Sequence, residues 1–206
     1  IVFYLFKGNT EATGQWPAWF GTVSALSTAF LVIPIITFIS TRIGKRKAFI
    51  LATFISMVGY ALKWWGFNPA NPYLMFLPLP LISFGIGGLF TLMMSMTADV
   101  CDLDELNNGT RREGTFGAVY WWMVKLGNAL ALLIGGAVLS LVGFDVDATE
   151  QSVQTVTSLR IADIVIPVIL AACAILIMWK YDITEKKANE IRQALIARRG
   201  RVKHQE

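Results

Sequence analysis

The spacing of its charges constrains this chain more than any other feature. No Asp, Glu, Lys or Arg occurs between Glu11 and Arg42 or from Trp64 to Ala98, and Lys125 alone interrupts the run from Thr115 to Gly143. A helix that crosses a bilayer needs roughly 20 mainly apolar residues. Lipid offers no partner to a backbone N–H or C=O, so charge-free runs of this length must satisfy their own backbone as helices. Composition agrees, with 55% apolar and 16% charged residues, against about 45–50% and about 25% in soluble domains. The expected fold is an all-α, polytopic membrane protein.

Five full spans and the end of a sixth emerge. Residues 1 to 6 read as the last turns of a helix, followed by a polar loop from Lys7 to Gln15. Trp16 to Thr41 spans next, anchored at the interface by Trp16 and Trp19 and kinked at Pro34. Ala48 to Gly66 follows, with Lys63 snorkelling beside Trp64 and Trp65. The third span, Tyr73 to Ala98, is expected to bend at Pro78 and Pro80 and to pack closely through Gly85, Gly87 and Gly88. Thr115 to Gly143 and Ile161 to Tyr181 complete the set, the last carrying Asp163 near its start and Pro167 in its first turns. The chain opens at Ile1 with neither a methionine nor a charged leader, and it is read as a piece of a longer protein. Two regions are expected: a transmembrane bundle over 1–181 and a basic tail over 182–206.

The basic residues set the orientation. If the 42–47 loop is cytoplasmic, alternation places the 99–114 loop and the tail on the same side, and that side holds 14 of the 18 basic residues. Such asymmetry follows the positive-inside rule, with a multi-pass protein of the plasma (inner) membrane and a cytoplasmic C-terminus as the expectation. The net charge of +4 is thus accounted for by the membrane and calls for no nucleic acid. Within the tail, Thr184 can cap a short amphipathic helix that buries Ala188, Ile191 and Leu195 on one face and ends at Gly200. Lys186, Lys187, Arg192, Arg198 and Arg199 either face the anionic inner leaflet or are simply solvated.

Several chemistries lack their residues. The chain has one histidine, His204, and its two cysteines, Cys101 and Cys173, have no metal or redox spacing. Neither a G-x-S-x-G nor an H-E-x-x-H motif is present, so an enzyme is not expected. The acidic stretch from Asp99 fails as an EF-hand because position six of either register is not glycine.

Lys125 is the most informative residue, because a charge near the middle of a membrane helix costs about 2.5–3.5 kcal/mol on insertion scales. Helical spacing puts Trp121 and Asn128 on nearly its face, with Gly117 and Leu132 extending the stripe. A water-accessible cavity suits that face; the alternative is a lysine that neutralises a carboxylate on a neighbouring helix. No carboxylate other than Asp163 lies inside these spans, so a partner for Lys125 is expected outside this chain. Tyr120, Trp121 and Trp122 lie one turn away and either stack on sugar rings or merely pack. The Asp99–Glu113 stretch is dense in both signs, and either latches helix bundles together through ion pairs or is solvated.

The order of these features resembles one family. Ala98-Asp99-Val-Cys-Asp102 ends a helix, Asp104-Glu105-Leu and Gly109-Thr-Arg111-Arg112-Glu113-Gly114 follow, and Lys125-Leu-Gly127 lies in the next helix. Together with Arg42-Ile-Gly-Lys-Arg-Lys47 and Tyr181-Asp-Ile-Thr-Glu185, this arrangement is similar to the glycoside-pentoside-hexuronide:cation symporters of the major facilitator superfamily. The resemblance implies a twelve-helix transporter in two six-helix bundles, this chain being the C-terminal bundle from late helix VII to helix XII. It implies a sugar or glycoside substrate, with Lys125, Trp121, Tyr120 and Phe90 at the substrate cavity, to which helical spacing adds Asn128 on the Lys125 face. It implies a partner N-terminal bundle that holds most groups for a coupling cation, Na+ or H+, and no other cofactor. Asp99, Asp102, Arg111, Arg112 and Glu113 become candidate cytoplasmic-gate residues. Phe90, Tyr120 and Trp121 depart from the family's residues at those places, so a particular sugar does not carry over. A lysolipid or other organic solute as cargo, or a non-transporting membrane subunit, are the alternatives.

Overall fold

The computed structural model describes residues 1–146, 148 and 150–203, with side chains described through Arg198. Among the described residues all regular structure is helical: α1 (Val2–Leu5), α2 (Thr10–Thr13), α3 (Trp16–Leu26), α4 (Ile33–Ile43), α5 (Lys45–Gly66), α6 (Leu79–Asn108), α7 (Glu113–Leu141), α8 (Val153–Met178) and α9 (Glu185–Lys203). Five helical stretches are long and apolar enough to cross a membrane, as the charge gaps predict.

The first stretch runs unbroken from Thr10 to Ile43. Between α3 and α4 it widens into a π-helical segment, Ser27–Val32, just before Pro34. Proline has no N–H to give the preceding turn, and a π turn is one way to absorb the lost bond. The π segment thus lies immediately before the place where a kink at Pro34 is expected. At the third span Pro78 and Pro80 do not bend the helix; they start it. A 3₁₀ turn, Pro72–Phe76, comes first, and Pro78 is the N-cap of α6 with Pro80 in its first turn, where a missing N–H costs nothing.

The reversal between α4 and α5 takes only Gly44, at φ +84°. α6 and α7 are joined through Gly109 at φ +76°. Both are left-handed conformations that glycine adopts without strain.

α5 and α6 are the central pair. In lipid, helices associate through close van der Waals packing rather than through loss of apolar surface to water, which favours small residues at the contact. A Cβ at Gly59 would lie 2.7 Å from the Ile82 amide nitrogen, and one at Gly88 would lie 2.9 Å from both Ala52 Cβ and Ile36 Cδ1. Gly87 similarly receives Val32 of the π segment, at 2.7 Å from Cγ1. The expected glycine packing is present, and Val32, Ile36, Ala52, Phe84, Leu92 and Met96 form the buried core around it. Ser56 adds a hydrogen bond from its hydroxyl to the Ile82 carbonyl at 3.3 Å. α8 flanks α5 on this core through Met178.

Two elements differ in their packing from the reading of the sequence. α9 is not a free tail helix: Ala188, Ile191 and Leu195 form its predicted face, all three are buried, and the helix packs on α6. It continues through Gly200 to Lys203, so Gly200 does not end it. The side chain of Arg199 lies outside the described residues, as does His204. α7 is the opposite case, for none of its residues is buried. It touches α6 and α8, and nothing lies within 4 Å of where a Cβ would sit on Gly114, Gly117, Gly127, Gly135 or Gly136.

Overpacking a close contact costs about 1–3 kcal/mol. Gly59→Val is therefore expected to lower the unfolding temperature of the purified protein in detergent, whereas Gly127→Val, on the open face of α7, leaves it unchanged; both are read by thermal unfolding monitored by tryptophan fluorescence.

Candidate functional site

α7 carries most of the substrate-site candidates. A small groove of about 190 Å³ opens between Met94, Thr97 and Cys101 on α6 and Gly117, Tyr120 and Trp121 on α7. Tyr120 and Trp121 meet edge to face, with ring centroids 5.3 Å apart. The Tyr120 hydroxyl is buried yet has no hydrogen-bond partner among the described residues. An orphaned buried hydroxyl costs on the order of 1–3 kcal/mol, so a polar group that completes it would stabilise the bound state. Phe90 lies one turn before Met94 on α6 and is 40% exposed. Lys125 and Asn128 continue along α7 beyond the groove, exposed on its uncovered face. Lys125 has no ion-pair partner among the described residues. The fold thus brings Tyr120 and Trp121 together with α6, and leaves Lys125 and Asn128 facing away from this chain's core.

The gate candidates assemble at the end of the bundle that carries the basic residues. α6 has 30 residues, about 45 Å of helix against about 30 Å of hydrocarbon, so its last turns rise out of the membrane region. The stretch read from sequence as a charged loop after Ala98 is for its first ten residues the end of α6, and the connection itself is only 109–112. Asp99 is buried, its carboxylate held by Lys45 Nζ at 2.5 Å and by Arg192 Nη2 at 2.8 Å. Lys45 also donates to the Ser95 carbonyl at 3.4 Å. One carboxylate therefore ties together the start of α5, the end of α6 and α9. Arg192, expected either at the anionic leaflet or in solvent, instead turns its guanidinium to Asp99, with Asp102 at 3.8 Å.

The remaining pairs are exposed. Arg111 reaches Glu105 at 2.8 Å, Asp102 at 3.4 Å and Glu113. Arg112 grips Asp104, with Nε at 2.9 Å from Oδ2. The hydrogen bond to Glu113 raises the pKa of Arg111 above its already high value, and the one to Asp104 does the same for Arg112, so both charges are fixed at any ordinary pH. Tyr181, just beyond α8, is pushed up to about 12 by burial and, secondarily, by the charge of Asp99, which keeps it neutral beside that carboxylate.

Reasoning from sequence missed an ion pair at the opposite end. Lys63 of α5 does not simply snorkel: its ammonium pairs with Asp163 of α8 and lies 5.0 Å from the Phe67 ring centroid. Arg160, one turn earlier on α8, stands over the rings of Trp64 and Tyr4 at 4.1 and 4.4 Å. α8 starts at Val153, earlier than the apolar run suggested, and so presents both residues from one helix. The available signal was a lone cation and a lone anion at the same end of two adjacent-length spans.

Helical spans packed through glycine, with charges gathered at their two ends, are the architecture of a multi-pass membrane protein. The chain belongs to the MFS/sugar transport protein family, whose profile matches residues 1–185. It is 27% identical over 158 residues to the glucuronide carrier protein homolog of Escherichia coli K12, covering 77% of this chain and 34% of that protein. It is 28% identical over 162 residues to the isoprimeverose transporter of Lactiplantibacillus pentosus, covering 77% of this chain and 33% of the relative. The lactose permease of Leuconostoc lactis matches at 25% identity over 194 residues, or 93% and 29% of the two chains. The chain spans about a third of the length of these relatives.

Burial separates the two kinds of ion pair. Removing one member of a buried pair costs about 3–5 kcal/mol, whereas exposed pairs are worth about 0–1 kcal/mol. Asp99→Ala is expected to destabilise the protein strongly and to expose α9 to limited proteolysis between Asp182 and Glu185, while Arg111→Ala leaves both the unfolding temperature and the protease pattern close to the parent's.

Proposed function

We propose that this chain is the C-terminal half of a cation-coupled sugar or glycoside symporter of the plasma membrane, with its C-terminus in the cytoplasm. The observation that carries this reading is the set of aromatic, hydroxyl, amide and ammonium groups between Tyr120 and Asn128 on one helix with no buried residue, in a chain whose family is defined by sugar transport. Relatives named for a glucuronide, for isoprimeverose and for lactose support a sugar or glycoside as the cargo. The 14 basic residues assigned to one side support the orientation.

The partner of α7 in this reading is an N-terminal six-helix bundle of the same transporter, and the substrate binds near the midplane between the two bundles, which rock around it to give alternating access. Trp121 and Phe90 supply apolar ring faces, and Tyr120 and Asn128 supply hydrogen bonds to sugar hydroxyls. Lys125 pairs with carboxylates of the opposite bundle. Those carboxylates also bind the coupling cation, Na+ or H+, so the affinity for sugar depends on cation occupancy. Arg111, Arg112 and Glu113 exchange their present partners for groups on the other bundle when the cytoplasmic side closes, and Asp99 and Asp102 hold the end of α6 from which that connection starts.

The test is uptake of labelled glycosides by the full-length gene product in proteoliposomes, with and without a sodium or a proton gradient. Losing one charge pairing of about 1.4 kcal/mol changes an affinity tenfold, so Lys125→Ala is expected to reduce gradient-driven uptake at least about tenfold and to abolish its dependence on the coupling cation. Uptake by Lys125→Ala with unchanged cation dependence overturns the assignment of Lys125; the absence of uptake of any glycoside by the parent protein overturns the substrate class.

A further inference from the structure

A cleft of about 460 Å³ lies at the basic end of the bundle, between the α4–α5 turn and the segment that joins α8 to α9. Its lining includes Ile43, Lys45, Arg46, Lys47, Trp179, Glu185 and Lys186. The charges do not cancel locally. Lys45 is neutralised by Asp99, and Lys186 has Glu190 only at 4.0 Å with both groups largely exposed, a contact of negligible energy. Arg46 and Lys47 have no carboxylate partner among the described residues, and Glu185 is the one acidic group in the lining. The cleft therefore carries a surplus of positive charge.

Its position is interfacial. α4 and α8 end here and α5 begins here, so the cleft lies at the boundary between the apolar spans and water. Trp179 is 65% exposed and Ile43 is 42% exposed, the pattern of side chains that sit at headgroup depth with an apolar surface below them. Arg46 Nη2 donates to the Trp179 carbonyl at 2.5 Å, which fixes one guanidinium edge on α8 and holds the two walls together. Basic pockets between membrane helices at the side rich in lysine and arginine suit anionic headgroups, and a soluble anion would have no use for the adjoining tryptophan and isoleucine.

We propose that this cleft is a binding site for an anionic phospholipid, with the phosphate held by Arg46, Lys47 and Lys186 and the glycerol and upper acyl chains against Trp179 and Ile43. Occupancy would bridge the α4–α5 turn to the start of α9, the same elements that Asp99 joins on the other side. The site is separate from the α7 stripe and does not depend on which solute is transported.

The experiment is native mass spectrometry of the delipidated full-length gene product titrated with phosphatidylglycerol or phosphatidylcholine. Phosphatidylglycerol is expected to bind in preference. Each basic residue near an anionic headgroup contributes about 1 kcal/mol, or about fivefold, so Lys47→Gln/Lys186→Gln is expected to reduce that preference by about fivefold per lysine; both residues are exposed and their replacement does not threaten the fold. Lys187→Gln/Arg198→Gln removes the same charge from α9 outside the cleft and is expected to leave the preference intact. Three results overturn the proposal: no preference in the parent protein, an equal loss in both double variants, which indicates diffuse attraction to the surface, or displacement of the lipid by excess inorganic phosphate, which indicates a site for a soluble anion.

Discussion

Helices surrounded by lipid gain nothing from hiding leucine or phenylalanine from hydrocarbon, so the arrangement of this bundle rests on the glycine-lined contact between α5 and α6. Gly59 lets the Ile82 backbone approach, and Gly88 admits Ala52 and Ile36 from two other helical segments at once. That contact brings α4, α5 and α6 close enough for Leu92, Met96 and Phe84 to fill the space between them. The π segment before Pro34 belongs to the same solution, because it turns Val32 and Thr28 toward Gly87. α3, α4, α7, α8 and α9 each pack on one or both of this pair.

The second organising interaction is electrostatic. Asp99 emerges from the membrane region on α6 and is buried only because Lys45 and Arg192 enclose its carboxylate. A buried charge without partners would be prohibitive, and a pair in good geometry about breaks even, so the value of this cluster is in its specificity. It selects one position for α9 and one for the α4–α5 turn. An amphipathic helix of this kind could otherwise lie on the bilayer. Here the apolar face of α9 is used against α6, and most of its remaining basic groups are left for water or lipid.

Against this compact half, α7 stands apart. Its aromatic and polar residues are offered outward on a helix that has no buried residue. A structural helix in such a place would display only lipid-compatible side chains. The ammonium of Lys125 instead requires water or a counter-charge.

Charge spacing alone gave the number and helical character of the spans, because a bilayer penalises every exception to apolarity and the exceptions are therefore easy to see, but not their limits, since α6 runs on to Asn108 and α8 starts at Val153. The amphipathic face of α9 was equally legible, since Ala188, Ile191 and Leu195 follow the 3.6-residue period. The stripe of Trp121, Lys125 and Asn128 could be placed on one helix face by the same arithmetic. Pairings between distant charges could not. Lys63 with Asp163, and Arg192 with Asp99, join residues about a hundred positions apart, and helical periodicity carries no information about which helices become neighbours. Nor could the sequence say that Pro78 and Pro80 would open a helix rather than bend one, for that depends on where the chain turns at Pro72–Phe76. Local composition determined what each segment is, because the bilayer judges segments one at a time; only the tertiary structure decided which segments meet, because that choice is made by glycine-scale packing and by charges seeking partners across the bundle.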